Sequence, residues 1–348
     1  MTHSESFIEK AKACIQPERF TDRVVRWQVQ HGRNDLPWQQ AGDPYHVLVS
    51  ELMLQQTQVS TVIPYFQRWL NALPSFHALA AADEQTVMQL WQGLGYYRRA
   101  RNLHAAAQTV VAQYAGQLPH QADELREIPG IGPYTVGAIR AFAFDQPAAI
   151  VDGNVKRLFA RLFMLPFLVN KATDDKHFWQ LAEVYKPLAS ARRFAQGLLD
   201  LGATICKPQR PLCEQCPLAD VCLARAHQAT ERFPQRAESK KTPTKPGYFV
   251  LDANADGVLL EQRSATGIWP SLWCLPELPS APNAQAPQAE FKHTFTHYKL
   301  AAQVYLTANS NISGKRIAWR DLEQYGLPAP IAKFLNNQAR KLVCQSSE

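Results

Sequence analysis

The sequence predicts two domains of different class, an all-α body followed by a small α+β domain. Three observations carry this. From residue 44 to about 205, apolar residues recur at helical spacing in short pieces broken by Pro, Gly or Asp, and no strand alternation of useful length interrupts them. Residues 226–246 then turn polar, charged and proline-bearing, the composition of a linker. Beyond them the period changes to two. With 348 residues, 46% of them hydrophobic, the chain has apolar material for two cores.

Taken in order, residues 7–30 read as one helix. Helical pieces follow over 44–60, 61–71, 75–80, 84–91, 98–114, 121–127, 133–142, 153–163, 173–186 and 190–202. Pro64, Pro74, Pro119, Pro129, Pro147 and Pro166 supply breaks or first-turn positions. Within SELMLQQTQV, about 100° per residue sets Glu51, Gln55 and Gln58 on one helical face. Val47, Leu48 and Leu54 surround that glutamate, so its carboxyl is expected half-buried beside amides. Such a face serves either a satisfied structural network or an acid facing a substrate. In the second domain, YFVLDANADGVLLEQR reads as a hairpin turning at Asp256-Gly257. Residues 276–290 read as a loop, and HYKLAAQVYL as a strand with Tyr298, Leu300, Ala302, Val304 and Leu306 on one face. The final PAPIAKFLNNQARKLV reads as a helix.

The net charge of +7 permits a polyanionic partner without establishing one. No apolar run is long enough to span a membrane, and the first residues lack the continuous apolar stretch of a secretory signal. A cytoplasmic, nucleoid-associated protein is the expectation. Of seven cysteines, Cys206, Cys213, Cys216 and Cys222 crowd into one short stretch, while Cys14, Cys274 and Cys344 are scattered. In a reducing compartment such a cluster reads as a metal site. Zinc sites pair their ligands as two short C-x2–4-C units. Here a single C-x2-C lies between two wider gaps, which suits an iron–sulfur cubane better than a zinc ribbon.

Three further stretches carry chemistry. In IPGIGPYT, residues 128–135, Gly130 and Gly132 allow a tight turn and close approach, and Pro133 suits the first turn of a helix whose free amides can meet a phosphate. An ordinary helix–helix turn uses the same residues. In VDGNVKR, Asp152 opens a helix, where capping is the common use of an aspartate and catalysis the alternative; Asn154 can cap in its place. In GLGYYRRAR, two tyrosines stand beside three arginines. That is either a core tyrosine with a solvated basic face or a wedge with phosphate contacts.

Together these motifs resemble, over residues 20–225, the helix-hairpin-helix DNA glycosylases of the endonuclease III-like superfamily, and in detail the MutY-type adenine DNA glycosylases. Tyr134 stands where the bifunctional lyases carry a Schiff-base lysine, SELMLQQTQV matches the adenine enzymes' signature, and a β-rich C-terminal domain resembles their Nudix-like module. The clustered REx2EE glutamates of nucleoside diphosphate hydrolases are absent, so that hydrolysis is not expected.

The resemblance implies a helical glycosylase domain over 1–225, made of a six-helix barrel module at about 35–145 and an iron–sulfur module from 1–34 plus 146–225. A linker over 226–246 and a recognition domain over 247–348 follow. It implies a 4Fe–4S cluster on the four cysteines and excision of adenine opposite 8-oxoguanine or guanine in double-stranded DNA. The chain would act as a monomer, with a sliding clamp or mismatch-repair proteins as further partners to consider. Glu51 would protonate the base, Asp152 would stabilise the sugar cation, Tyr134 would orient the aspartate or the strand, and Asn154 would hold water or the sugar edge. Leu36, Trp38 and Gln196 match adenine-pocket positions, and Gln55 and Tyr96 match residues entering the duplex. Phe295, Thr296 and His297 sit where the family senses 8-oxoguanine through Phe-Ser-His; Thr keeps the hydroxyl and adds a methyl. The competing readings are a thymine-glycol-type lyase of the same fold and a non-catalytic damage-binding protein.

Overall fold

The computed structural model describes residues 3–39, 42–238, 242–264, 266–282, 285–307, 312–339 and 342. Cys344 and positions 239–241 of the expected linker lie outside them. The chain divides into two compact units. One comprises 1–80 and 105–239, the other 81–104 and 240–348.

The helices run α1 His3–Cys14, α2 Pro17–His31, α3 Pro44–Leu54, α4 Val59–Ala72, α5 Phe76–Ala81, α6 Glu84–Trp91, α7 Arg98–Tyr114, α8 Ala122–Glu127, α9 Pro133–Phe142, α10 Gly153–Leu162, α11 Asp175–Tyr185, α12 Ala191–Asp200 and α13 Leu223–Ala226. Two expectations are corrected here. The helix read over 7–30 is two, because Pro17 occupies the first turn of α2. The helix read over 44–60 stops at Leu54: Gln55 is extended and Gln56 is left-handed at φ 57°. Gln55 therefore caps the end of α3 and Gln58 the start of α4, and neither lies on the helical face of Glu51.

The first unit closes over an aromatic core in which Phe20 meets Tyr185 edge-on at 5.1 Å and Phe194 at 5.8 Å, all three buried. Residues 226–238 do not behave as a free linker. Ala224, Ala229 and Phe233 form a small buried cluster. The Arg161 guanidinium donates to the carbonyls of Thr230 and Phe233, each at 2.9 Å, and Asn170 exchanges hydrogen bonds with Ala237. A buried arginine holding several carbonyls is what turns this polar stretch into packed structure.

In the second unit, β1 Thr244–Leu251, β2 Gly257–Gln262, β3 Trp273–Cys274, β4 Glu277–Leu278, β5 Ala289–Thr294, β6 Lys299–Leu306 and β7 Lys315–Ala318 precede α14 Ala329–Phe334. They form a sheet ordered β4-β1-β6-β5, with β1 parallel to β6, and a second ordered β3-β2-β7. The turn at Asp256-Gly257 forms, with Asn254 Oδ1 accepting from both their amides. The full hairpin does not: beyond the bridge Ala253–Val258, β1 and β2 enter different sheets. The expected alternation holds from Tyr298 through Leu300, Ala302 and Val304 of β6, all buried, and breaks at its end, where Tyr305 is buried and Leu306 only half-buried. The stretch 276–290, read as a loop, contains β4 and the start of β5. The helix read at the end of the chain is α14 followed by a π-helical turn, Leu335–Ala339.

Candidate active site

Asp43 caps α3 by accepting from the Tyr45 amide, Pro44 fills its first position, and the helix carries Glu51 inward at 5% exposure. Burial pushes the Glu51 carboxyl up to about 7; a hydrogen bond from the Tyr134 phenol pulls the other way, and the charge of Asp152 adds to the rise. Tyr134 stands in the first turn of α9, following Gly130, whose φ of 81° requires glycine.

Asp152 is the N-cap of α10. Its Oδ1 accepts from the Val155 amide at 2.7 Å and its Oδ2 from the Asn154 amide group at 2.8 Å. It caps, as its position suggests, and it also faces a cavity shared with Glu51. Burial raises its pKa, opposed by those hydrogen bonds and by the charge of Arg157. Arg157 in turn donates to Asn154 Oδ1 at 2.8 Å, to Gly202 O at 2.7 Å and to Cys206 O at 2.7 Å. Gly202 lies in a π-helical turn, Leu201–Ile205, and a Cβ there would stand 2.4 Å from that of Asn154, so glycine makes the room that Asn154 occupies.

Two cavities meet at Glu51. The first, about 380 Å³, is lined by Leu36, Trp38, Val47, Ser50, Glu51 and Gln196, among others. Gln196 donates its amide to Asp200 at 2.8 Å, and Asp200 is fully buried and bonded by Arg33 through side chain and backbone. That bond uses a Gln196 amide hydrogen and fixes the orientation of its carbonyl oxygen. The second, about 1000 Å³, is lined by Glu51, Gln55, Gly130, Gly132, Tyr134, Asp152 and Asn154 with their neighbours. A Cβ added at Gly132 or Gly153 meets nothing within 4 Å, so backbone is open to close approach there. One cavity combines apolar walls with amides and the arginines Arg33, Arg192 and Arg193; the other holds both carboxyls and the exposed hairpin turn.

Tyr96 and the Phe295–His297 stretch belong to the other unit. Tyr96 is 52% exposed and left-handed at φ 46°. Phe295 to Tyr298 form the turn between β5 and β6, closed by the Phe295 amide on Tyr298 O at 2.9 Å, with Thr296 and His297 exposed at its tip. Sequence reasoning missed Asp200, Arg33 and Arg157. A readable signal existed for the last: Arg157 and Arg161 lie four apart inside the apolar face of α10, and both are buried.

Cys206, Cys213, Cys216 and Cys222 line one small cavity with Leu158, Leu162, Ile205 and Leu218. Arg161 brings its guanidinium to 3.5 Å from Cys206 Sγ. Four sulfurs around a shared, apolar-walled space beside a buried cation fit an anionic cluster.

Over residues 49–184 the chain matches the HhH-GPD superfamily of base excision DNA repair proteins, over 206–222 the iron–sulfur binding domain of endonuclease III, and over 247–337 the NUDIX domain. An adenine DNA glycosylase of Buchnera aphidicola is 32% identical across 91% of this chain and 97% of its own. That of Rattus norvegicus is 31% identical across 94% and 80%. A solved thermostable thymine-DNA glycosylase superposes with a TM-score of 0.56 at 28% identity, covering 63% of this chain and 98% of that one. The four cysteines bound and fill the matched iron–sulfur motif, and the chain carries a 4Fe–4S cluster.

Proposed function

The chain belongs to the adenine DNA glycosylase family, and from that premise we propose that it excises adenine opposite 8-oxoguanine or guanine in duplex DNA by hydrolysing the N-glycosidic bond. The observation that carries this reading is the position of Glu51, at the junction of a base-sized cavity and a groove that holds the second carboxyl. An adenine turned out of the helix fits the first, between Trp38 and Leu36 and the oriented Gln196 amide, and leaves its deoxyribose beside Asp152.

The chemistry follows from the two environments. With a pKa of about 7, Glu51 is substantially protonated at neutral pH and gives that proton to N7 of the base. The C1′–N9 bond breaks, its electron pair leaves with the adenine, and positive charge develops on the sugar. The Asp152 carboxylate, held in place by Val155 and Asn154, offsets that charge. Water adds to C1′ and its proton returns to Glu51, closing the cycle. Tyr134 restrains the rise of the Glu51 pKa and takes the place of a lyase's amine. Lys156, the lysine nearest Asp152 in sequence, is paired with Asp175 at 2.5 Å, which disfavours a Schiff base. Cys206, Cys213, Cys216 and Cys222 would hold the 4Fe–4S cluster, which would cross-link residues 206–222; Cys206 O accepts from Arg157, which bonds Asn154, which in turn bonds Asp152.

The turn Phe295-Thr296-His297 reads the opposite base, with exposed hydrogen-bonding groups at its tip. Among the described residues no helix is long and apolar enough to cross a membrane, and a nucleoid setting suits the substrate. The protein acts as a monomer in this reading; clamp or mismatch-repair partners are tested by pull-down.

The test is alkali-dependent strand cleavage of duplexes carrying adenine opposite 8-oxoguanine, guanine or thymine, with wild type, Glu51→Gln and a Thr296→Ala/His297→Ala double variant. Point variants replace a C-terminal deletion because residues 81–104 pack with that domain. The reading expects cleavage opposite 8-oxoguanine and guanine only, none with Glu51→Gln, and loss of the 8-oxoguanine preference in the double variant. Strong borohydride trapping would favour the lyase, and no cleavage of any duplex the damage-binding protein.

A further inference from the structure

The segment carrying Tyr96 lies in sequence within the helical body yet packs with the C-terminal domain. Side chains from it bond backbone carbonyls there in four places. Gln85 donates to Gln324 O at 3.3 Å, Gln89 to Glu323 O at 3.0 Å, the Tyr97 hydroxyl to Leu327 O at 2.8 Å and Arg101 to Pro270 O at 2.8 Å. The packing is close: a Cβ on Gly326 would stand 3.0 Å from that of Met88.

The turn itself is held from beneath. Arg99, 6% exposed, donates to the carbonyls of Leu94 and Gly95, and the Trp91 indole also donates to Gly95 O. This keeps Tyr96 in a left-handed conformation that a bulky residue adopts only under constraint. Its neighbour Tyr97 is buried and anchored on Leu327. From Pro270, the acceptor of Arg101, the path is short: the adjoining Trp269 ring lies 5.5 Å from Phe295 and 5.7 Å from His293. A contiguous set of packed groups thus joins the Tyr96 turn to the turn that presents Thr296 and His297.

We propose that Tyr97 and Arg101 are positioning residues for opposite-base discrimination, tying the exposed Tyr96 to the Phe295–His297 turn so that both engage the lesion pair as one body. The inference rests on the reading above, in which Tyr96 enters the duplex and the 295–297 turn reads the opposite base. Two turns on one body with a fixed spacing bind a lesion pair with a single ordering cost, where two independently mobile turns would each carry their own. Neither Tyr97 nor Arg101 touches the reacting atoms in this account.

The test measures kcat/KM for adenine opposite 8-oxoguanine and opposite guanine, with thermal melting alongside, on full-length Tyr97→Phe, Arg101→Met, Tyr96→Ala and the Tyr96→Ala/Tyr97→Phe pair. Tyr97→Phe and Arg101→Met are expected to lower the 8-oxoguanine-to-guanine ratio about tenfold, as loss of one buried hydrogen bond allows. Tyr97→Phe should add nothing in the Tyr96→Ala background, the signature of residues acting through one another. Equal loss on both substrates, or an unchanged ratio in Tyr97→Phe and Arg101→Met while Tyr96→Ala and the 296/297 variant lower it, overturns the inference and leaves the reading intact. An unchanged ratio in Tyr96→Ala and the 296/297 variant overturns the reading, and the inference with it. Should Tyr97→Phe fail to fold, Arg101→Met and its pair with Tyr96→Ala decide by the same criteria.

Discussion

Tyr134 hydrogen-bonds to Glu51 from the first turn of the helix that follows the glycine hairpin, so the exposed glycine turn and the buried acid are one unit of structure. The bond favours the ionised carboxylate, against the larger effect of burial. Removing it must raise the Glu51 pKa further. In the proposed mechanism activity needs the acid form, so excision should fall as pH rises through about 7 in the wild type. Tyr134→Phe should move that alkaline limb to higher pH. Single-turnover rates from pH 5.5 to 9 check this, and a limb that stays or moves down contradicts it.

Asp152 caps α10 and faces the groove, and one substitution separates the two roles. Asparagine caps as well as aspartate, so Asp152→Asn keeps the bond from the Val155 amide. It removes the charge proposed to offset the sugar cation. Because its new amide also replaces the oxygen that accepts from Asn154, the expected result is a melting temperature lowered modestly, by the loss of about one hydrogen bond, with excision reduced by about 10²–10³-fold. A large fall in melting temperature with activity retained would return Asp152 to capping alone.

Glu51 also predicts a cost in stability. Its folded pKa, about 7, lies above the ordinary value of 4.5, so the folded state holds the proton more tightly. That contribution is complete below pH 4.5 and is lost as pH rises through 7. Glu51→Gln carries no such dependence. It should be more stable than wild type at pH 8, by up to about 3 kcal/mol, with the gain shrinking towards pH 4.5. Denaturant melts at both pH values measure this, and a pH-independent difference contradicts it.

The iron–sulfur loop reaches the carboxyls through named atoms, from Cys206 O to Arg157, Asn154 and Asp152. Purified protein should carry about four irons per chain. Cys213→Ser should lose iron, gain protease sensitivity within 206–222, and excise more slowly while adenine opposite 8-oxoguanine remains the preferred pair. Iron analysis and limited proteolysis test it. Stoichiometric zinc in the native protein contradicts it.

Much of this was legible in the residues. Helical periodicity and proline breaks gave α4 to α12 within a few positions, because their apolar residues recur at helical spacing between breaks. The cysteine spacing gave the metal loop. What could not be read is what tertiary contacts decide. The chain stops α3 at Leu54 through a left-handed Gln56, which nothing in the local composition demands. Residues 226–238 look like linker, yet Arg161, more than sixty positions earlier, organises them. Residues 81–104 pack with a domain distant in sequence through backbone carbonyls, which carry no side-chain signature. Asp200 escaped notice because an acid orienting a pocket amide looks like any other helical aspartate.

The shared site at Glu51 is tested most directly by single-turnover excision of adenine opposite 8-oxoguanine, comparing wild type with Glu51→Gln at saturating, equal DNA occupancy. The account predicts a loss of about 10²–10⁴-fold with binding of the duplex retained. Excision at the wild-type rate by Glu51→Gln would contradict it.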